Sequence, residues 1–335
     1  MAATSCWRNT PTSSRWRRPR GWPTSFWRDL QARADPVKVP LSQIIWERCM
    51  HIGVTLAFSQ HTPPEVVVAA ARMVEERGFH AIWVPEHVLF FRDYSSRYPY
   101  SDDGRLPGDP DGVIDPFTAL TFIAAHTHRV RLGTGVCLVP QRHPVYTAKQ
   151  VADLDYLSGG RFDFGIGIGW LKEEFEALGI PFAGRARRTL ECLDVMKALW
   201  GQAVSEHESE HFSIHGALQN PKPRQRPHPP IYFGGESLPA LRRVAKHGQG
   251  WYGFQLTPDA LQERLQVLDG ELSAAGRKRE DIQIAIGARG RPDADALRRF
   301  EDLGVDQVIT PVMARDAEGF LRRMDALAER MQVVA

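Results

Sequence analysis

The pattern that begins at Met50 constrains the fold more than any other feature of this 335-residue chain. Short runs rich in β-formers alternate with longer segments of helical period. Strands are predicted over 51–58, 80–84, 130–138, 161–168, 230–233, 250–254, 282–286 and 305–310. Helices are predicted over 63–77, from 116 behind an Asp115 cap, and over 145–157, 173–178, 185–200, 238–247, 258–275, 294–303 and 317–331. Regular alternation of this kind demands a parallel sheet covered by helices. Eight units match a (β/α)8 TIM barrel, about 250 residues plus insertions. The structural rival is an open doubly wound sheet, which lacks its usual opening here because no GxGxxG follows the first strand. Residues 203–228 break the rhythm and read as a surface excursion.

The first 49 residues belong to a different kind of sequence. They hold five of the nine tryptophans, scattered among arginines, prolines and serines without a helical or strand period. Nine Lys and Arg stand there against Asp29, Asp35 and Glu47, whereas residues 50–335 carry 33 Lys and Arg against 37 Asp and Glu. Such a stretch buries too little to fold alone. Two readings remain: a basic, Trp-bearing arm, or an upstream extension of the reading frame, with Met50 as the true start. We favour the extension, expect 1–49 to be disordered, and place a single barrel domain over 50–335.

The net charge of +2 leaves no surplus positive field for nucleic acid. Cys6, Cys49, Cys137 and Cys192 form no CxxC pair, which fits a reducing compartment. No apolar run approaches the roughly 18 residues of a membrane span, and no hydrophobic signal core opens the chain. The expectation is a cytoplasmic protein acting on a small molecule, without nucleic-acid or membrane partners.

In a barrel of this kind the chemistry sits past the carboxyl ends of the strands. Glu86 and His87 follow strand two, and a histidine there suits proton transfer, although a loop histidine also serves as a surface or capping residue. Thr134, Gly135 and Val136 lie in the third strand region. Strand four ends in GIGIGW, whose glycines 165, 167 and 169 leave one face without side chains. We read that face, with Gly167, Gly169 and Trp170, as a wall for a flat ligand; the alternative is close packing against a bulky neighbour such as Phe58. After strand five, Gly234, Gly235 and Ser237 open into a helix whose first amides suit a phosphate monoester, or form a plain tight turn. His207, His211 and His215 recur every four residues in an irregular stretch with no second cluster facing it, so no metal site is expected. No lysine ends a strand to form a Schiff base, which argues against an aldolase barrel.

Taken in order, AIWVPEHV, RVRLGTGVCLVPQRHPV, LDYLSGGRFDFGIGIGWLKEEFEALGIPF, RTLECLDVMKALW, PPIYFGGES and the following ALRRVAKHGQGW resemble the bacterial-luciferase-like superfamily, in its coenzyme F420-dependent oxidoreductase branch. The resemblance covers essentially all of 50–255. It implies a luciferase-like barrel and a homodimer. The activity it implies is hydride transfer between F420 and a small organic substrate, with an FMN-dependent monooxygenase as the alternative. It also implies a non-proline cis peptide at Gly135–Val136 against the flavin rings, cofactor phosphate at Gly234, Gly235 and Ser237, and His87 at the ring edge. Glu86 stands where an aspartate is common. Trp170 stands where the sugar-phosphate dehydrogenases of the superfamily carry an acid, which argues against glucose-6-phosphate-type substrates. The loop 90–114 is expected to act as a substrate lid. Arg92, Arg97, Arg142 and Lys149 are candidate partners for the acidic oligoglutamate tail of the deazaflavin.

Overall fold

The computed structural model describes residues 50–107, 112–312 and 317–332; the expectation for 1–49 lies outside them. The elements in order are β1 (His51–Thr55), α1 (Pro64–Glu76), β2 (Ala81–Val84), α2 (Pro116–Ala124), β3 (Arg131–Thr134), β4 (Cys137–Leu138), α3 (Pro144–Ser158), β5 (Phe162–Gly167), α4 (Lys172–Ala177) and α5 (Arg185–Gly201). There follow β6 (Ser205–Glu208), β7 (Ser213–Ala217), β8 (Ile231–Gly234), α6 (Leu238–His247), β9 (Gly250–Leu256), α7 (Pro258–Ala274), β10 (Gln283–Ala288), α8 (Ala294–Asp302), β11 (Gln307–Pro311) and α9 (Ala317–Gln332).

All pairings in the large sheet are parallel, and β3 pairs with β5 to close it into a barrel. The open-sheet rival is thereby excluded. The third stave is the one that departs from the predicted 130–138 strand. It is split into β3 and β4, and the intervening Gly135–Val136 peptide is cis. Leu132 and Gly133 pair with the start of β5, and Cys137 and Leu138 pair with its end. Residues 205–217 of the excursion form an antiparallel hairpin, β6 with β7. Two of its three histidines pair with carboxylates: His211 Nδ1 lies 2.8 Å from Glu191, and His215 contacts Glu206 and Glu208. Among the described residues no helix is long and apolar enough to cross a membrane.

The strands sort their side chains with period two. Ile82, Val84, Phe162, Phe164, Ile166, Ile231, Phe233 and Trp251 turn outward and form one continuous core with the surrounding helices. Ala81, Trp83, Tyr232, Tyr252, Ala285 and Ile309 turn inward and pack together inside the barrel. This interior alternates bulk with bare backbone, as dense packing in a narrow barrel requires. A Cβ on Gly133 would lie 2.4 Å from the Trp83 ring, and one on Gly250 would lie 2.2 Å from Tyr232. The Trp83 indole, 1% exposed, donates to Gln307 Oε1 at 2.7 Å, so its one polar atom is satisfied.

Gly165 is the tightest of these positions. A Cβ there would approach the Thr134 carbonyl oxygen to 2.0 Å, with Trp83 at 3.1 Å, and backbone cannot give way as a side chain can. Gly165→Ala should therefore destabilise the barrel by about 3 kcal/mol or more in urea denaturation, whereas a loss below about 1 kcal/mol would show that the third stave is not seated there.

Candidate active site

The carboxyl ends of the strands open into a cleft of about 1840 Å³. Its floor is made by the broken third stave. Thr134 Oγ1 donates to Gly165 O at 2.6 Å, and a Cβ on Gly167 would meet Val136 Cγ2 at 2.6 Å. The segment from Thr134 to Val136 thus occupies the space that the glycine strand leaves. This corrects the reading of GIGIG as a wall kept bare for a ligand: Gly165 and Gly167 accommodate the neighbouring stave. At Gly169, with φ of +76°, a Cβ would strike Phe175 at 2.7 Å. Close packing is the cause, although the neighbours are Trp83, Val136 and Phe175 and not Phe58. Gly135, Val136, Gly167, Gly169 and Trp170 all border the cleft; Thr134 is fully buried behind it.

Glu86 and His87, adjacent in sequence, do different things. Glu86 is 4% exposed, and its two oxygens accept from Leu138 N at 2.5 Å and from Arg142 Nε at 2.6 Å. Arg142 also bonds Asp115 and Gln150. The Glu86 carboxylate thus has a partner on each oxygen and anchors β4 to the end of β2. His87 borders the cleft with both ring nitrogens engaged. Trp170 Nε1 lies 3.2 Å from His87 Nε2, and His87 Nδ1 lies 3.0 Å from Glu174 Oε2.

Glu174 had no role in the sequence reading. It is completely buried on the short helix α4, and its Oε1 accepts from Val88 N at 2.7 Å and Leu89 N at 3.1 Å. Gln141 Nε2 donates to Oε2 at 2.9 Å. Burial works to raise this carboxyl, but the bonds from His87, Gln141 and Leu89 outweigh it and hold it below the usual carboxylate range. The KEEFEA run holds three acids on one turn and a half. Nothing in its spacing singles out the buried one.

The neighbouring Glu173 fastens the loop expected to act as a lid, at Ser95 and Ser96. Its carboxylate accepts from Ser95 N, Ser95 Oγ and Ser96 Oγ at 2.6 to 2.8 Å. Slight burial opposes the charged form, yet these bonds hold Glu173 down to about 2. The lid brings Tyr94 and Tyr98 edge-on to Trp170, with centroids 5.7 and 5.2 Å away. Tyr100 donates to Glu236 Oε2 at 3.0 Å, and Phe254 N donates to the other oxygen at 2.8 Å. Burial raises the Glu236 carboxyl and pushes the Tyr98 phenol up to about 12, so Tyr98 is neutral at physiological pH.

At the expected phosphate turn, Gly234, Gly235 and Ser237 border the cleft as predicted. Ser237 stands at the helix N-cap with no side-chain capping bond, which leaves its hydroxyl for a ligand, and Pro239 removes one first-turn donor. Arg185 and Arg243 border the same cleft, and burial depresses both guanidinium groups, with Arg185 repelling Arg243 further. Among the described residues neither has a carboxylate partner; Arg185 bonds Gly169 O at 3.0 Å and lies over Phe182. Of the four basic candidates for the tail, only Arg97 reaches the cleft, since Arg142 is held by Glu86 and Lys149 by Asp153.

Residues 50–332 match the family model described as luciferase-like monooxygenase. The chain belongs to the luciferase-like monooxygenase family. It is 32% identical over 286 residues to an uncharacterized protein of Mycobacterium tuberculosis, covering 84% of this chain and 99% of that one. It is also 27% identical over 220 residues to the oxygenase component of a flavin-dependent trigonelline monooxygenase of Acinetobacter baylyi, covering 65% and 55%. The coenzyme F420-dependent tetrahydromethanopterin reductase of Methanopyrus kandleri shares the fold, with a TM-score of 0.67 at 17% identity over 85% of this chain and 99% of that one. The protein is accordingly a luciferase-like oxidoreductase.

The lid latch of this luciferase-like barrel is testable. Glu173→Ala should speed amide exchange at Ser95 and Ser96 about tenfold or more at neutral pH. Because folding depresses the Glu173 pKa, the stabilisation from the latch is fully present above its ordinary value of 4.5 and is lost as pH falls through about 2. Protection of these amides in the parent protein should hold at pH 5; its loss there would remove the latch.

Proposed function

We propose that this enzyme transfers a hydride between coenzyme F420 and a small organic substrate. The observation that carries the reading is the charge of the cleft. Five guanidinium groups border it, on Arg97, Arg185, Arg243, Arg322 and Arg323, of which Arg322 is paired with Glu318, against two carboxylates, Glu86 and Glu236. Both carboxylates are already hydrogen-bonded within the protein. That is more positive charge than a single phosphate monoester requires, and it suits a ligand with an oligoglutamate tail. The unpaired Arg185 and Arg243 beside Gly234, Gly235 and Ser237 fit the phosphate. F420 supplies the hydride carrier when bound. The protein's part is to hold its phosphate and tail, present Val136 and the cis peptide to its rings, exclude water beneath the tyrosine-rich lid, and move a proton at His87.

A second reading keeps the site and uses FMN with dioxygen. It is favoured by the 27% identity to the flavin-dependent monooxygenase of A. baylyi. Titration of the purified protein with F420 and with FMN separates the two. Arg243→Gln should weaken either cofactor by about 10- to 100-fold, the value of a charge-assisted bond to phosphate. Arg322→Gln with Arg323→Gln should weaken F420 by about fivefold and leave FMN unchanged. Tight FMN binding with no affinity for F420 would overturn the first reading in favour of the second.

A further inference from the structure

We infer that Glu174 is the positioning residue for His87, fixing which ring nitrogen carries the proton, and that Trp170 covers the nitrogen left free to react. The inference rests on the proposed role of His87 as the proton-transfer group. The logic is one of donors and acceptors. An indole N–H only donates, so the His87 Nε2 that faces Trp170 Nε1 at 3.2 Å is the acceptor and carries no hydrogen. The proton of the neutral ring then sits on Nδ1, 3.0 Å from the buried Glu174 carboxylate, which only accepts when ionised. The two contacts specify one tautomer.

The remaining Glu174 partners make the arrangement rigid. Val88 N and Leu89 N occupy Oε1, and Gln141 Nε2 shares Oε2 with His87. The same carboxylate thereby sets both the backbone leaving His87 and the direction of its ring. Its negative charge also stabilises the imidazolium that forms when Nε2 takes up a proton. Other charged groups near the ring are accounted for. Glu86, the preceding residue, is neutralised by Arg142, and no other charged side chain among the described residues has a direct contact with His87. Phe90 covers the ring at a centroid distance of 4.7 Å, and Trp170 packs edge-on at 5.9 Å. The Trp170 bond is the longer and more exposed of the two contacts. A substrate group that displaces the indole gains Nε2, so the ring is presented as an acceptor only to a ligand that occupies the Trp170 side of the cleft.

This assigns a further consequence to the tryptophan at the end of the glycine strand. An acid at position 170 would accept and not donate, so with Glu174 on Nδ1 the ring would need a proton on both nitrogens and would offer no free acceptor. Trp170 and Glu174 form a matched donor and acceptor pair across one imidazole.

The test reads the tautomer itself and needs no substrate. Two-bond ¹H–¹⁵N correlation spectra of the intact protein, with His87→Asn used for assignment, should show His87 as the Nδ1–H form. In Glu174→Gln the glutamine carbonyl keeps the Val88 and Leu89 amides, so its NH₂ faces His87 Nδ1. The ring should shift at least tenfold toward Nε2–H and lose the Trp170 bond. Trp170→Phe should retain Nδ1–H, since Glu174 alone specifies it. A parent protein showing Nε2–H, or Glu174→Gln retaining Nδ1–H, would overturn the inference; the parent spectrum decides even if the variant does not fold. Once a substrate is turned over, Glu174→Gln and His87→Asn should each lower kcat by about 10²-fold or more with little change in KM. If His87→Asn turns over normally, the catalytic reading of His87 fails while the tautomer result stands on its own.

Discussion

The packing of the third stave against the bare face of the fourth governs the rest of this molecule. Thr134 O sits where a side chain of residue 165 would be, and Val136 sits where one of residue 167 would be. That interlock breaks the third strand into two pieces and turns Gly135–Val136 toward the barrel axis. It also sets the floor of the cleft. Because the stave leaves the ladder at this point, its return has to be held by something other than sheet hydrogen bonds alone. Glu86 does this through Leu138 N, and Arg142 stabilises the buried carboxylate in turn. His87 is the next residue in the chain, so the group that faces the cleft is placed by the same device that repairs the strand.

Charge is divided between two tasks in this site. The carboxylates of Glu86, Glu173, Glu174 and Glu236 are all used up inside the protein, each holding a loop to a neighbouring element. Arg185 and Arg243 are left without carboxylate partners. A region that is slightly acidic by composition therefore presents a basic cleft. Net charge is a property of the chain, while the field inside a cleft depends on which charges are already paired.

Helix α4 ties the two halves of the site together through consecutive residues. Glu173 reaches outward to Ser95 and Ser96 of the lid, and Glu174 reaches inward to His87 and the two residues after it. One six-residue helix thus contacts both the loop at Ser95 and Ser96 and the imidazole. The aromatic cluster of Tyr94, Tyr98 and Trp170 bridges them.

The sequence by itself determined the architecture and much of the cleft's outline. Period-two and period-3.6 patterns are local, and each of the eight strands was legible because burial on both faces leaves a short apolar run between turn signals. His87, Gly135, Val136, Trp170, Gly234, Gly235 and Ser237 were legible as cleft residues because a barrel places its strand ends together. Tertiary structure alone decided which polar groups are free. Nothing in the sequence joins Glu86 to Leu138 and Arg142, more than fifty residues away, yet both bond its carboxylate. Arg142 and Lys149 looked available for a ligand, whereas Arg185 and Arg243 are the ones left over. Glu174 is one acid among three on α4, and only the fold points it at the histidine. The glycines of β5 announced close approach, but not of what, since a missing side chain records a need for space and the occupant comes from elsewhere in the chain. Hydrogen-bond partners at a separation of 30 to 90 residues leave no periodicity behind, and for that reason the pairing of the polar groups emerged only once the chain was folded.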